Sequence, residues 1–192
     1  MGEGADRSPL PRLQGGGGRG VGACLDVSRM SRLDSFIRRV QAQRDSLDEA
    51  ARAIAGVPGV VLELGLGNGR TYDHLRTILP DREIFAFDRK VAAHPDCIPD
   101  DAHLFLGDFL ETLPLAARRL GGRVALVHGD IGSGDTAATA ALARLLAPLL
   151  PPLLAQGALV VSDQLLDVPG TSAVTPIRNV PEGRYFMRRF GP

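Results

Sequence analysis

Short apolar runs alternate with helix-like patterns along most of the chain. The first run, Val-Val-Leu-Glu-Leu, is rich in β-branched residues and follows a glycine, which is typical of a buried strand. Five such runs predict strands at residues 60–64, 84–87, 103–106, 124–127 and 158–161. Apolar residues spaced by three and four predict helices at about residues 31–54, 70–79, 109–120 and 136–150. Because strands alternating with helices are joined by right-handed crossovers, we predict an α/β fold with a doubly wound, mostly parallel sheet.

The two ends of the chain follow other patterns. Residues 173–180 and 185–190 flank Pro181-Glu182-Gly183, a turn signal that predicts an antiparallel C-terminal hairpin. Residues 1–29 have no apolar periodicity and contain a run of glycines from Gly15 to Gly18. A segment of this kind buries too little surface to offset its ordering entropy. We therefore predict a disordered segment at 1–29, with translation beginning naturally at Met30, and one folded domain at 30–192.

Composition narrows the class of partner. The 22 basic and 22 acidic residues give no net charge, which argues against binding to nucleic acid and to anionic membranes. Two cysteines do not form a disulfide framework, so a reducing, cytoplasmic location is expected. The longest uncharged stretch, residues 145–162, is interrupted by prolines and a glycine, which does not fit a membrane span.

The loop after the first predicted strand carries the sharpest motif. It runs Glu63-Leu64-Gly65-Leu66-Gly67-Asn68-Gly69, and its glycines allow a tight turn and close approach to a ligand. A dinucleotide-binding loop would have a third glycine where Arg70 stands. Acidic residues also end the following strands, where ligands bind in open α/β sheets. With Glu63 two residues before the first glycine and Asp88 at the end of the next strand, the E-x-G-x-G-x-G spacing is more specific than a bare glycine-rich turn.

Three segments, VLELGLGNGR, FAFDR and LFLGDF, resemble the S-adenosylmethionine-binding motifs of class I methyltransferases. The resemblance covers about residues 31–192 and is closest to a group of small bacterial members. It implies a Rossmann-like domain, S-adenosyl-L-methionine as cofactor and methyl transfer to an acceptor. It also implies cofactor contacts from Glu63, Gly65, Gly67, Asn68, Gly69, Arg70, Asp88, Asp108 and Phe109.

The resemblance gives these residues separate roles. The glycines would lie against the methionine part, and Glu63 would sit near its ammonium group. Asp88 would accept hydrogen bonds from both ribose hydroxyls, as a carboxylate can. Asp108 would accept from the adenine amino group, with Phe109 near the ring. Three alternatives stay open: Asp88 as a surface acid, Asp108 as a simple helix cap, and Arg70 as a solvent-facing arginine rather than a partner of the methionine carboxylate.

His128 and Asp130 are the candidate catalytic residues, because they end the fourth strand beside the expected methyl position. Histidine has a suitable pKa for a general base, which is needed only where the acceptor must lose a proton. The alternative is a loop histidine with its hydrogen bonds satisfied and a helix-capping aspartate. A magnesium-assisted version would use Asp130, Asp163 and Gln164, but His128 occupies the first ligand position, so no metal is predicted.

A small-molecule acceptor is the favoured partner, because charge is balanced and the chain has little room for a substrate domain. Substrate selection would fall to the first helix and the loop after Asp163. A nicotinamide-dependent dehydrogenase and a non-catalytic cofactor-binding module remain as alternatives. The oligomeric state stays open, with a homodimer formed through arginine-rich helices and the tail hairpin as one alternative.

Overall fold

The computed structural model describes residues 31–174 and 177–191. Residues 1–29, predicted to be disordered, lie outside these ranges. The helices are α1 (Arg32–Ala53), α2 (Arg70–Ile78), α3 (Phe109–Leu120) and α4 (Thr136–Leu146). The strands are β1 (Val60–Leu64), β2 (Ile84–Asp88), β3 (Leu104–Leu106), β4 (Val124–Gly129), β5 (Leu154–Ser162), β6 (Thr171–Ala173) and β7 (Phe186–Phe190).

These strands form one seven-stranded sheet in the order β3-β2-β1-β4-β5-β7-β6. The first five strands are parallel, and β7 pairs antiparallel with both β5 and β6. This confirms the predicted fold class, an α/β doubly wound Rossmann-like sheet with antiparallel C-terminal strands. The chain order reverses between β1 and β4, and such a switch point opens a crevice at the carboxyl ends of the strands.

Side-chain alternation divides the core between the two faces of the sheet. On one face Val61 packs with residues of α1 and α2, such as Leu47 and Leu75. On the other face Leu62 packs with residues of α3 and α4, such as Leu113. Both faces of a parallel sheet are covered in this way because its strands are apolar on both sides. Among the described residues, no helix is long and apolar enough to cross a membrane.

The predicted tail hairpin is wrong in its first strand. A strand is predicted over residues 173–180, whereas β6 ends at Ala173. After it, the N–H of Val174 donates one more backbone hydrogen bond, to the carbonyl of Met187 at 2.8 Å. Asn179 has a φ of 62°, a left-handed conformation that a non-glycine residue does not take in regular extended backbone. The connection from β6 to β7 is therefore long, and it includes the predicted turn at Pro181-Glu182-Gly183, where the N–H of Arg184 donates to the carbonyl of Pro181 at 3.1 Å.

The prediction of a fourth helix to residue 150 is also wrong, because α4 ends at Leu146 and two 3₁₀ turns follow, at Ala147–Leu149 and Pro151–Leu153. Prolines in both turns lack the N–H that a continuing helix requires. The fifth strand begins at Leu154, earlier than the predicted residue 158. Gly157 lies within this strand and takes a φ of 79°, which interrupts the regular strand pattern. A glycine irregularity hides the first part of this strand from pattern analysis.

Candidate active site

The glycine-rich loop connects β1 to α2 at the switch point of the sheet. Its three glycines have positive φ values, 94° at Gly65, 51° at Gly67 and 83° at Gly69. A Cβ on Gly65 would lie 2.8 Å from the carbonyl oxygen of Asp130, and one on Gly69 would collide with the Cβ of Cys97. These two glycines are thus required by the protein's own packing, because any side chain there would displace its neighbours.

Gly67 differs from the other two glycines of the loop. A Cβ there would meet no atom within 4 Å, so the space above the loop is open. Its backbone N–H donates to Oδ2 of Asp88 at 2.9 Å, which ties the loop to the end of β2. The open space lies beside a carboxylate at the strand ends, and this arrangement fits a nucleoside ligand lying across the loop.

The first turn of α2 faces the same loop. Gly69 is the N-cap and provides no side-chain hydrogen bond to the turn. The Oδ1 atom of Asn68 accepts from the N–H of Arg70 at 3.2 Å, and both residues are exposed. N–H groups at a helix start favour an anion, and a carboxylate of the cofactor would serve as one.

Asp88 is half-buried at the end of β2. Its Oδ2 accepts from Gly67, and its Oδ1 accepts from the N–H of Lys90 at 3.2 Å. Each carboxylate oxygen has two acceptor positions, so both oxygens keep capacity for a further donor. The carboxylate is therefore held in a fixed orientation and fits the predicted contact with two ribose hydroxyls.

Asp108 and Phe109 stand at the start of α3. Oδ1 of Asp108 accepts from the N–H of Leu110 at 2.9 Å, so the helix-capping alternative describes one of its contacts. The second carboxylate oxygen retains its own lone pairs. Phe109 is 9% exposed and belongs to the core cluster on the α3 side, so most of its ring packs inside the protein.

Glu63 and His128 form a buried pair across β1 and β4. The sheet register places them opposite each other, and His128 Nδ1 lies 2.6 Å from Glu63 Oε2. Both side chains are 0% exposed. The Thr71 hydroxyl donates to Oε1 of Glu63 in a short hydrogen bond. Both carboxylate oxygens are thus engaged within the protein, whereas the resemblance implied that Glu63 sits beside the ammonium group.

The surroundings of His128 make it more basic than an ordinary histidine. Burial opposes the imidazolium and is the largest single influence, but the surrounding carboxylates, with Glu63 first among them, together outweigh it, so the pKa of His128 is raised. The carboxylates of Asp130 and Asp163 act in the same direction. His128 therefore lies in β4 rather than in a loop, and both of its ring nitrogens have hydrogen-bond partners, as the alternative to a catalytic role expects.

Asp130 follows β4 and turns toward α1. Its Oδ2 accepts from Nε2 of Gln43 at 2.9 Å, and the Arg39 guanidinium lies 3.8 Å from the same oxygen. Its side chain is 29% exposed, and it lines a cavity of about 430 Å³. The other residues around this cavity come from α1, the loop after β5 and the approach to β7: Arg39, Ala42, Asp163, Gln164, Leu165, Gly183, Arg184, Tyr185 and Phe186.

Asp163 is the second acid of the cavity. Its Oδ1 accepts from the N–H of Ile131 at 3.1 Å, and its Oδ2 accepts from Nε2 of Gln164 at 3.0 Å. Burial raises the pKa of Asp163, and the nearby charge of Asp130 adds to this effect. Within residues 31–174 and 177–191, no group of three or more His, Cys, Asp and Glu side chains is placed to hold a metal ion.

Sequence patterns missed three residues of this site. Thr71 and Gln43 lie on helices, where their polar side chains read as solvent-facing positions, and Tyr185 precedes the last strand. Tyr185 is 6% exposed and its hydroxyl lies 3.3 Å from Nε2 of His128. Gln43 is 8% exposed and lies on the buried face of α1, and this position on the helix is the only sign that its side chain points inward. No local signal in the sequence joins any of the three to His128.

The strand order, the glycine loop with its acidic neighbours and the cavity beside them define a class I S-adenosylmethionine-dependent methyltransferase. The chain belongs to the S-adenosyl-L-methionine methyltransferase family, whose profile matches residues 30–190. It is therefore an enzyme that uses S-adenosyl-L-methionine. This assignment decides against the dehydrogenase and non-catalytic alternatives.

Two solved structures illustrate the similarity. An S-adenosyl-L-methionine methyl transferase from Silicibacter pomeroyi DSS-3 is 45% identical, with a TM-score of 0.80 over 85% of this chain and 100% of that one. Human methyltransferase-like protein 13, solved in complex with SAH, shares the fold at 12% identity, with a TM-score of 0.53 over 80% of this chain and 81% of that one. No curated protein shows significant sequence similarity to the chain.

Proposed function

We propose that the enzyme methylates a small molecule bound in the cavity at the carboxyl ends of β4 and β5. The observation that carries this proposal is the position of the cavity next to the glycine loop. Asp130, which lines the cavity, donates its backbone N–H to the carbonyl of Leu64, the last residue of β1. A cofactor lying across the loop would therefore have the cavity at one end.

The loop residues would hold the cofactor as the family resemblance implies. The backbone at Gly67 offers an open surface, Asp88 would accept from the ribose hydroxyls, and the first turn of α2 would face the methionine carboxylate. Asp108 would accept from the adenine amino group through its second oxygen. When bound, S-adenosylmethionine supplies an electrophilic methyl carbon on a sulfonium, and transfer proceeds by in-line displacement.

The size and enclosure of the cavity favour a small acceptor. Its volume of about 430 Å³ lies within the range that small-molecule sites occupy, roughly 300–1,000 Å³. Ala42 of α1 lies on one side and Phe186 of β7 on another. Four of its residues also line a mostly apolar cavity of about 560 Å³, which would take an apolar part of the acceptor. The chain's zero net charge also disfavours a nucleic acid acceptor.

The charged groups of the cavity would orient the acceptor. Asp130 is fixed by Gln43 and Arg39, and Asp163 by Gln164, so both carboxylates face the space with settled geometry. Methyl transfer gains most of its rate from holding the nucleophile, the methyl carbon and the sulfur in line. We therefore assign Asp130 to acceptor positioning.

Transfer of labelled methyl from S-adenosylmethionine to a panel of small hydroxyl, amine and thiol compounds tests the proposal. We expect turnover of members of the panel, and Asp130→Asn should lower kcat/KM while leaving the affinity for S-adenosylhomocysteine unchanged. Asp101→Asn, at an exposed turn, is the matched control and should behave as the wild type. Transfer to RNA or protein alone would contradict the small-molecule proposal.

A further inference from the structure

Tyr185 links the buried Glu63–His128 pair to the acceptor cavity. Its hydroxyl lies 3.3 Å from Nε2 of His128, and the two rings are nearly parallel, with an interplanar angle of 5°. Tyr185 also lines the cavity of about 430 Å³. An unbroken line of hydrogen-bonding groups therefore runs from Glu63 through His128 to Tyr185, which lines the cavity.

We propose that Tyr185, His128 and Glu63 form a proton-transfer chain that deprotonates a hydroxyl acceptor, with Tyr185 as the residue that contacts it. The inference rests on the proposed function, because it requires a small acceptor in this cavity. It also changes the role of His128: its two ring nitrogens face Glu63 and Tyr185, so it acts through Tyr185.

The step balances as follows. The acceptor O–H bond breaks and its proton passes to Oη of Tyr185, while the tyrosine's own proton passes to Nε2 of His128. The acceptor oxygen uses the released electron pair to bond the methyl carbon, and the electron pair of the carbon–sulfur bond stays on sulfur. Tyr185 remains neutral throughout, and His128 ends as an imidazolium beside the Glu63 carboxylate. Release of that proton to solvent resets the chain.

The electrostatics of the site suit a relay rather than a stored tyrosinate. Burial raises the pKa of Tyr185 far above its usual value, and the charges of Asp130 and Asp163 add to the effect, so the phenol keeps its proton until another replaces it. Glu63 raises the pKa of His128, which makes the imidazole a better acceptor of that proton. This is the logic of a carboxylate that stabilises an imidazolium formed during catalysis.

The groups that face His128 fix the direction of its pH dependence. Glu63 lies on β1, Asp130 follows β4, Asp163 follows β5, and Tyr185 stands before β7. The three carboxylates all favour the imidazolium. The relay needs the neutral imidazole, so activity should rise with pH through a pKa above the ordinary histidine value of 6.5.

The chain of groups also selects the acceptor class. A neutral amine attacks with a lone pair that is already available, so it gains little from a base. An alcohol or phenol must lose its proton as it reacts. A proton-transfer chain built into the core thus indicates a small hydroxyl compound as the natural acceptor.

The test compares Tyr185→Phe with Tyr72→Phe, a matched loss of a hydroxyl from another buried tyrosine. With a hydroxyl acceptor, Tyr185→Phe should lower kcat by roughly 10²- to 10⁴-fold and abolish the rise of kcat with pH. Its calorimetric affinity for S-adenosylhomocysteine should match the wild type, and its kcat should fall by far more than its KM rises. Its melting temperature should fall only slightly, because a single buried hydrogen bond is lost. Tyr72→Phe should keep the wild-type kcat and pH profile.

Glu63→Gln is an independent test. Loss of the carboxylate charge should lower the pKa of His128 and shift the rising limb of the pH profile to lower pH. A wild-type kcat and pH profile in Tyr185→Phe would overturn the relay, as would methylation of amines but not of hydroxyl compounds. Wild-type enzyme that binds S-adenosylhomocysteine but methylates no small molecule would instead refute the proposed function, and the relay with it.

Discussion

Glu63 and His128 are cross-strand neighbours whose side chains meet at 2.6 Å with no exposure to solvent. The parallel register of β1 and β4 creates the pair, because it places the last polar positions of the two strands side by side on the α1 face. A buried carboxylate without a partner is strongly unfavourable, so each residue makes the other acceptable in the core.

Removing one member of this pair should destabilise the protein. In Glu63→Ala, the imidazole of His128 and the hydroxyl of Thr71 lose their acceptor, and we expect a loss of about 3–5 kcal/mol in the free energy of unfolding. Urea denaturation measures it. Glu49→Ala removes a surface ion pair with Arg52, and because exposed ion pairs contribute little, the free energy of unfolding should change far less. Equal losses in the two variants would contradict the account of a buried pair.

The raised pKa of His128 makes stability depend on pH. His128 binds its proton more tightly in the folded state than in the unfolded state, so this stabilisation is complete below pH 6.5 and is lost as pH rises through the folded pKa. The difference in unfolding free energy between wild type and His128→Asn should therefore shrink as pH increases above 6.5. Urea titrations at a series of pH values test this, and a difference that grows with pH would contradict it.

The open space above Gly67 predicts a selective effect of a methyl group. Gly67→Ala and Gly122→Ala both place a side chain at positive φ with no neighbour within 4 Å, so each should cost about 1–2 kcal/mol of stability. Only Gly67 lies at the proposed cofactor surface, which is at the carboxyl ends of the parallel strands. Gly122 precedes β4 and so lies at the amino ends of these strands. Calorimetry should show weaker binding of S-adenosylhomocysteine for Gly67→Ala alone. Equal binding in both would place the cofactor elsewhere.

Asp88 gives a further test of the cofactor site. Asp88→Asn removes the charge and one acceptor oxygen, and hydrogen bonds to a charged group contribute about 1.5–3 kcal/mol, so affinity for S-adenosylhomocysteine should fall roughly 10- to 100-fold. Asp101→Asn, at an exposed acid of the turn before β3, should retain wild-type affinity. An unchanged dissociation constant in Asp88→Asn would remove the proposed ribose contact.

Much of this fold follows from local pattern. β1 and α3 occupy the predicted residues, because a β-branched run between glycines and an aspartate cap with apolar spacing are strong local signals. The E-x-G-x-G-x-G loop likewise fixes its own turn, since its glycines alone tolerate the φ values found there. These features depend on residues close together in sequence.

The rest depends on contacts between distant residues. Tyr185 reaches His128 across 57 positions of sequence, and Gln43 reaches Asp130 across 87, so no spacing rule reveals either. The left-handed Asn179 lies between β6 and β7. Asparagine is disfavoured in strands, but one asparagine among apolar neighbours is too weak a signal to end a predicted strand. Sequence analysis therefore finds the cofactor loop but not the groups that surround the acceptor.

A crystal structure of the enzyme with S-adenosylhomocysteine tests the central claim most directly. We predict the ribose hydroxyls within hydrogen-bond distance of the Asp88 carboxylate and the sulfur directed toward the cavity lined by Asp130 and Tyr185. A sulfur atom directed away from that cavity, or a ligand bound away from the Gly67 loop, would contradict the account.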